Sequence, residues 1–173
     1  MSSAITLRRP DLGDELIVRQ AQAELVADGF EFAYGFGPEV TWADFLRHLE
    51  LLHEGTNPPE GFMPSTFYLA EVDGEVVGST SLRYQMNEYL TAFGGHIGYC
   101  VRPEFRRRGY AVEILRQQVR NAYEAGLADV LITCLDSNVA SASVIERGGG
   151  VFEALRTRPD GAVFRRYWIS TTA

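Results

Sequence analysis

The sequence predicts one mixed α/β domain with an antiparallel start, a single strand-helix-strand crossover in the middle and a hairpin at the end. Asp73-Gly74 lies between two β-rich runs, which is the strongest short hairpin signal. Residues 130–135, "VLITCL", form a continuous apolar run, as expected for a strand covered on both faces. Pro159-Asp160-Gly161 is a turn sequence between the last two strand-like runs. All 173 residues are assigned to one domain.

The first half of the chain is predicted to place two helices before a β-hairpin. Leu12, Leu16 and Leu25 recur at roughly helical spacing and indicate the first helix. Thr41 is a suitable N-cap for the second helix, and Gly55 is a suitable stop. The predicted elements are a strand at 5–9, helices at about 12–29 and 42–54, loops at 30–38 and 56–65, and strands at 66–72 and 75–84.

The second half contains the crossover. A helix that begins near Gly109 is predicted to have an apolar face made of Val112, Leu115, Val119 and Ala122. Asn138 can cap a short helix, which residues 148–150 end. The predicted elements are a strand at 96–101, a helix at 109–126, a strand at 130–135 parallel to the previous one, a helix at 138–147, and strands at 152–155 and 163–169.

Composition excludes several classes of protein. The formal net charge is -7, which argues against a general nucleic-acid binder and favours cationic partners, although an acidic surface that aids solubility explains it as well. All 16 basic residues are arginine, so there is no internal lysine nucleophile. Cys100 and Cys134 lie in apolar runs and are expected to be buried free thiols, and no metal site is predicted. No apolar stretch approaches the ~20 residues of a membrane span and no signal peptide is recognisable, so we expect a cytoplasmic protein with no membrane partner.

The stretch "RPEFRRRGYAVEI", residues 102–114, predicts an anion site. Arg106, Arg107 and Arg108 repel one another and stand at a helix N-terminus that already carries partial positive charge. That N-terminus also leaves backbone N–H groups without partners, and a phosphate wrapped by the loop would satisfy them. Gly109 permits close approach of the backbone, and Ala111 keeps the first turn narrow. The arginines can add charge-assisted contacts to an anion with more than one phosphate.

Arg106-x-x-Gly109-x-Ala111, placed after a strand and at the start of a helix, resembles the pyrophosphate loop of the GCN5-related N-acetyltransferases (GNAT). The segments "PSTFYLAEVDGEVVG", "LRYQMNEYL", "GGHIGYCVRPEFRRRGYA" and "SNVASASVIERGGG", from Pro64 to about Gly149, are similar to a bacterial subgroup of that family. The resemblance implies the GNAT fold with a splayed pair of parallel strands, acetyl-CoA as the donor and an amine as the acceptor. It does not identify the amine. The oligomeric state stays open, with a homodimer as one option.

The same resemblance implies the residues that bind acetyl-CoA. The loop backbone would hold the CoA pyrophosphate, aided by the side chain of Arg106 or Arg108, and the strand edge would pair with the pantetheine arm. Asn138 would hydrogen-bond the pantetheine or a nearby phosphate, with a helix cap alone as the alternative. The full set is Tyr99, Cys100, Val101, Arg106, Arg107, Arg108, Gly109, Tyr110, Ala111, Asn138 and Ser141.

Acetyl transfer requires a neutral amine, so a proton must be removed from an ammonium group whose pKa is about 10.4. His96 stands where relatives often carry a glutamate and could accept that proton; the alternative is a histidine that only bonds a backbone carbonyl across the "GGHIG" turn. Many relatives place a tyrosine in the last helix to protonate the leaving thiolate, but this chain has Ile145 there. Tyr99, Ser141 and Ser143 are available instead, and a strand N–H near Tyr99 or Cys100 would polarise the thioester oxygen.

Two segments are candidates for the acceptor side. Residues of the first, Arg83, Asn87, Glu88 and Tyr89, follow the third strand, and Glu88 could hold a cation, although a solvated loop is the alternative. The second contributes Phe30, Phe32, Tyr34 and Phe36, which could line a pocket or belong to the core.

Two other functions compete with acetyl transfer, and a cysteine nucleophile competes with the expected mechanism, direct attack of the amine in a ternary complex. The missing tyrosine is compatible with a non-catalytic acyl-CoA-binding module. An RNA or DNA contact by the arginines is opposed by the net charge. A cysteine nucleophile is opposed by the lack of a neighbouring histidine in a recognisable dyad.

Overall fold

The described part of the chain, residues 4–172 of the computed structural model, contains seven strands and four α-helices in the predicted order. The strands are β1 (Thr6–Arg8), β2 (Ser65–Val72), β3 (Glu75–Arg83), β4 (Ile97–Val101), β5 (Asp129–Leu135), β6 (Val151–Thr157) and β7 (Val163–Ser170). The helices are α1 (Glu15–Val26), α2 (Trp42–Glu54), α3 (Tyr110–Glu124) and α4 (Val139–Arg147). Short turns at Leu12–Asp14 and Pro103–Phe105 are 3₁₀-helical, and Leu90–Gly94 forms a π-helical turn.

The first sheet has the order β1-β2-β3-β4, and all its pairs are antiparallel. Its hairpin turns at Asp73 and Gly74, whose φ angles of 52° and 82° match the left-handed turn that this dipeptide favours. Successive residues of a strand point to opposite faces, so Leu69 packs with α1 and α2 while Ala70 packs with Ile114 of α3. The sheet is therefore covered on both faces.

The second sheet has the order β5-β7-β6 and is also antiparallel. Val130, Leu131 and Ile132 of β5 are fully buried, as the apolar run predicts. Their cluster joins α3 and α4 to this sheet through Leu115 and Ile145. The crossover β4-α3-β5 thus connects the two sheets.

The first helix differs from the prediction. Leu12 and Leu16 are 79% and 81% exposed, and the buried face of α1 is Val18, Ala21 and Leu25. The buried residues follow the spacing i, i+3, i+7, whereas Leu16 and Leu25 are nine positions apart and therefore lie on opposite sides of the helix. Within residues 4–172, no helix is both long and apolar enough to cross a bilayer.

Candidate active site

The site is built where β4 and β5 separate. The His96 N–H donates to Leu131 O at 2.8 Å, and the Leu131 N–H donates to Nδ1 of His96 at 2.9 Å. Beyond this point the two strands belong to different sheets. Gly95 makes the junction possible, because its φ is +70° and a Cβ there would lie 2.5 Å from Leu131 O. A gap therefore opens between the strands toward their carboxyl ends.

One edge of β4 faces this gap. Arg102 N–H donates to Val77 O of β3 at 2.8 Å, and backbone groups alternate in direction along an antiparallel strand. The polar backbone groups of Cys100 therefore face β3, while those of Tyr99 and Val101 face the gap. Of the three residues predicted to pair with the pantetheine arm, Tyr99 and Val101 therefore face the gap with their backbone groups, and Cys100 does not.

The loop before α3 has the backbone of an anion-binding nest. Arg107 and Gly109 both have positive φ, 59° and 82°, and a non-glycine residue in this region is uncommon. The N–H groups of residues 107–112 find no acceptor in the described part of the chain. A Cβ at Gly109 would meet nothing within 4 Å, so the space in front of these amides is open.

The three arginine side chains differ. Arg106 pairs with Asp28 at 2.8 Å and donates from Nε to Val101 O at 3.2 Å. Arg108 donates to Glu104 O at 3.0 Å and lies over the Phe105 ring. Arg107 is exposed and makes no hydrogen bond or ion pair with any of residues 4–172. The structure therefore leaves Arg107, rather than Arg106, as the guanidinium with the most free donors.

Arg102, at the start of the same stretch, has a structural role that the sequence did not reveal. It is 4% exposed, donates from Nε and Nη2 to the Glu24 carboxylate at 2.9 and 2.8 Å, and donates from Nη1 to Val76 O. The ion pair joins α1 to the end of β4 across 78 residues of sequence. Spacing offers no signal for such a partner.

Across the gap, α4 begins with a small hydroxyl cluster. Asn138 caps the helix by accepting from Ser141 N–H at 3.1 Å, and its Nδ2 has no partner among the described residues. The Tyr99 hydroxyl lies 2.9 Å from Ser141 Oγ. Burial raises the pKa of Tyr99 to about 12, against the opposing effect of the Ser141 hydrogen bond. Tyr99 therefore keeps its proton at neutral pH.

His96 is 8% exposed and holds the two sheets together. Its Nδ1 accepts a backbone N–H, so in the neutral ring the proton must reside on Nε2. Burial, followed by the charge of Arg83, lowers the pKa of His96. Accepting a further proton on Nδ1 would break the bond to Leu131. The geometry thus agrees with the alternative in which His96 only bonds the backbone, except that its ring bonds a backbone N–H, that of Leu131, rather than a carbonyl.

Neither cysteine has the surroundings of a nucleophile. Burial raises the pKa of Cys100 to about 11 and also raises the pKa of Cys134. The reactive thiolate is therefore disfavoured in both. Ile145, where the resemblance predicts a tyrosine in relatives, is fully buried, and its Cγ2 lies 2.4 Å from the place that a Cβ would take at Gly150.

A cavity of about 500 Å³ lies on the first sheet beside Gly98, Tyr99 and Cys100. Its lining includes six of the predicted acceptor-side residues: Phe30, Phe32, Tyr34, Arg83, Asn87 and Tyr89. Phe36 instead stacks on Phe45 in the core, and Glu88 is exposed outside the lining.

The lining also contains residues that the sequence did not indicate, among them Glu31, Phe62 and Met63. They come from loops whose positions depend on tertiary contacts such as the edge-on packing of Phe62 against His48.

These features fit acetyl-CoA chemically. The free amides at Gly109 suit a diphosphate, the strand edge at Tyr99 and Val101 suits the amides of a pantetheine arm, and the hydroxyl of Tyr99 lies where the two strands diverge. Among residues 4–172, no group of three or more His, Cys, Asp or Glu side chains could hold a metal ion. The fold and the site define the class of an acyl-CoA-dependent transferase.

The family profile of the acetyltransferase (GNAT) domain matches residues 4–151. The chain therefore belongs to the GNAT acetyltransferase family, and it is an acetyl-CoA-dependent N-acetyltransferase. The predicted family, fold class and activity are confirmed. No curated protein matches the sequence.

Solved structures of N-acetyltransferases share the fold along almost the whole chain. RimJ of Mycobacterium smegmatis, solved with a CoA disulfide, has a TM-score of 0.76 at 20% identity and covers 97% of this chain and 82% of its own. RimL, the ribosomal L7/L12 α-N-protein acetyltransferase solved with coenzyme A, has a TM-score of 0.71 at 19% identity, covering 98% and 95%. Spermidine N-acetyltransferase of Vibrio cholerae, solved with CoA and spermine, has a TM-score of 0.66 at 17% identity, covering 97% and 96%. Identities this low relate the folds and leave the acceptor undetermined.

Proposed function

We propose that the gap between β4 and β5 binds acetyl-CoA and that the cavity beside Gly98 admits a primary amine. The observation that carries this proposal is the run of N–H groups at 107–112, which have no acceptor among residues 4–172 and face open space at Gly109. Adjacent N–H groups at a helix N-terminus carry partial positive charge, so a ligand rich in acceptor oxygens is the natural complement. The backbone of residues 107–111 would hold the diphosphate, with the side chains of Arg107 and Arg108 adding charge-assisted contacts.

The pantetheine arm would lie along the free edge of β4. Tyr99 and the N–H of Val101 offer backbone groups there, while Val101 O already accepts from Arg106 Nε. On the opposite side, the Nδ2 of Asn138 has no partner among residues 4–172. Asn138 would thus serve both predicted roles, as its Oδ1 caps α4 and its Nδ2 donates to the ligand. This arrangement directs the acyl end of the ligand toward Gly98 and the cavity.

Acetyl-CoA, when bound, supplies an activated acyl group whose transfer to an amine releases a thiol. The chain's own contribution is to orient the two reactants, exclude water and stabilise the charge that develops. An N–H of β4 near Tyr99 would polarise the acyl oxygen. The Tyr99 hydroxyl, which is protonated at neutral pH and joined to Ser141, would donate a hydrogen bond to the departing sulfur. Ser143 has no such contact with Tyr99.

His96 has a positioning role in this proposal. Its ring fixes the beginning of β4 against β5 and so sets where the gap opens. Its predicted role as the acceptor of the amine proton is the alternative, and a variant that preserves the Leu131 bond distinguishes the two. The non-catalytic acyl-CoA module is not favoured, because the chain belongs to a family of transferases.

The test combines binding with turnover. Calorimetry should show CoA binding to the wild type that weakens at least about tenfold in Arg107→Glu, since a repulsive charge replaces an attractive one at the nest. Arg116→Glu, an exposed position on α3, is the matched control and should bind normally. Thiol release from acetyl-CoA over a panel of amines should identify an acceptor. Absence of CoA binding in the wild type would end the proposal.

The cytoplasmic location and the homodimer stay predictions.

A further inference from the structure

The cavity contains an arginine that forms no ion pair with any of residues 4–172. Ten of the sixteen arginines form an ion pair with a carboxylate of the described chain, among them Arg102 with Glu24 and Arg106 with Asp28. Five of the other six are exposed to solvent: Arg107, Arg108, Arg116, Arg147 and Arg156. Arg83 is the sixth; it is half-buried and lines the cavity.

Arg83 ends β3 and directs its guanidinium across β4. Its Nη1 donates to Gly95 O at 3.1 Å, and this is the one hydrogen bond that the Arg83 side chain makes with residues 4–172. The place that a Cβ would take at Gly98 lies 3.7 Å from Nη2 and 3.8 Å from Nη1. The guanidinium therefore lies over Gly98, the residue before the strand edge proposed to hold acetyl-CoA. A guanidinium has five N–H donors, so most of them remain available.

The lining supplies little compensation for this charge. Among the described residues that line the cavity, Glu31 is the one acidic side chain, and it is exposed to solvent. Burial lowers the pKa of Arg83, and the nearby phenols of Tyr34 and Tyr89 partly oppose this effect. Arginine nevertheless stays charged in proteins. A half-desolvated planar cation with free parallel donors fits a carboxylate, and it repels a polycationic acceptor such as a polyamine.

We propose that the acceptor is a small amino carboxylate, an amine that also carries a carboxylate group, and that Arg83 binds this carboxylate. The inference rests on the proposed function of the cavity as the acceptor site. The volume of about 500 Å³ suits a small molecule that shares the space with an acyl group. Anchoring the carboxylate at Arg83 holds the amino group of the same molecule near Gly98, where the acyl end is expected.

The experiment compares matched acceptors and matched variants by thiol release from acetyl-CoA. Each amino acid in the panel is paired with its carboxamide and with the amine that lacks the carboxyl group, and spermidine is included. With the wild type, amino carboxylates should exceed their carboxamides in kcat/KM by about 30-fold or more. In Arg83→Gln this preference should fall to a few-fold, and Arg83→Lys should retain part of it. Arg116→Gln, an exposed arginine on α3, should keep the full preference.

Three results would overturn the inference: a wild type that prefers carboxamides or spermidine, a preference that survives Arg83→Gln, or an equal loss of kcat for all amines in Arg83→Gln. The last would assign Arg83 to the acyl oxygen instead. Differential scanning fluorimetry with the same panel separates this inference from the proposed function. Stabilisation by amino carboxylates that disappears in Arg83→Gln, with no turnover of any amine, would support the carboxylate site and refute acetyl transfer at this cavity.

Discussion

Nδ1 of His96 accepts the backbone N–H of Leu131 at 2.9 Å, while the His96 N–H donates to Leu131 O at 2.8 Å. The ring and the backbone N–H of His96 thus bond both backbone polar groups of Leu131, which lies in the second sheet. Gly95 permits this approach, because any side chain there would collide with Leu131 O. The point where the active-site gap begins is therefore fixed by two adjacent residues, Gly95 and His96.

The first prediction separates positioning from proton transfer at His96. His96→Asn keeps an acceptor near the Nδ1 position, whereas His96→Leu leaves the Leu131 N–H buried without a partner, at a cost of about 1–3 kcal/mol. For a positioning residue, we expect His96→Asn to retain kcat and the acidic limb of the pH–rate profile, and His96→Leu to lose stability in urea unfolding. Loss of the acidic limb in His96→Asn, with normal stability, would instead make His96 the proton acceptor.

The second prediction concerns pH and stability. Burial lowers the pKa of both His96 and His48 in the folded protein, so the unfolded chain binds more protons than the folded one below its own histidine pKa of about 6.5. The free energy of unfolding therefore keeps its full value above about pH 6.5. It decreases as the pH falls from there toward the lower pKa values that the two histidines have in the folded protein. Urea unfolding from pH 7.5 to 5 should show this decline, and His96→Asn should reduce its slope. A flat wild-type profile over that range would contradict the assignment.

The sequence predicted well the elements whose signals are local. Thr41 caps α2 and Gly55 ends it with a φ of +67°, and Asp73-Gly74 forms the expected turn, because each depends on one or two residues and their neighbours. The anion-binding loop could also be predicted, because Gly109 and the N-terminus of the helix that follows it are contiguous in the sequence.

Contacts between distant segments were not predictable in this way. Arg102 pairs with Glu24 across 78 positions, and Arg83 meets Gly98 only because β3 and β4 are adjacent strands. The spacing of Leu12 and Leu16 also predicted that they belong to the apolar face of a helix, but both side chains are exposed to solvent. Such relationships depend on how the sheets assemble, and one sequence carries no direct record of that.

The third prediction contrasts two arginines of the same stretch. Arg102→Gln removes the partner of Glu24 and should lower the free energy of unfolding by about 2–3 kcal/mol, because a partly buried carboxylate is left uncompensated. Arg107→Gln removes a side chain with no contacts among the described residues and should change stability by less than about 0.5 kcal/mol. Chemical denaturation measures both. Equal effects would mean that the ion pair with Glu24 contributes nothing to the folded state.

The fourth prediction tests the hydroxyl proposed to stabilise the departing thiolate. Tyr99→Phe removes the group that contacts Ser141 and should lower kcat by about 100-fold, with the CoA dissociation constant little changed, since the ring and the strand edge remain. Tyr123→Phe, an exposed tyrosine on α3, is the control and should behave as the wild type. A Tyr99→Phe enzyme with normal kcat would transfer the role to Ser141 or to solvent.

The fifth prediction addresses the nest itself with two glycines in the same conformation. Gly109 and Gly161 have φ angles of 82° and 89°, and a Cβ at either would meet nothing within 4 Å. Gly109→Ala and Gly161→Ala should therefore cost a similar ~1 kcal/mol of stability from backbone strain. CoA affinity distinguishes them, because the Cβ at residue 109 would enter the space in front of the free amides: we expect a loss of about tenfold in calorimetry for Gly109→Ala and none for Gly161→Ala. If the two variants bound CoA equally well, the diphosphate would have to lie away from Gly109, and the anion-binding role of this loop would be wrong.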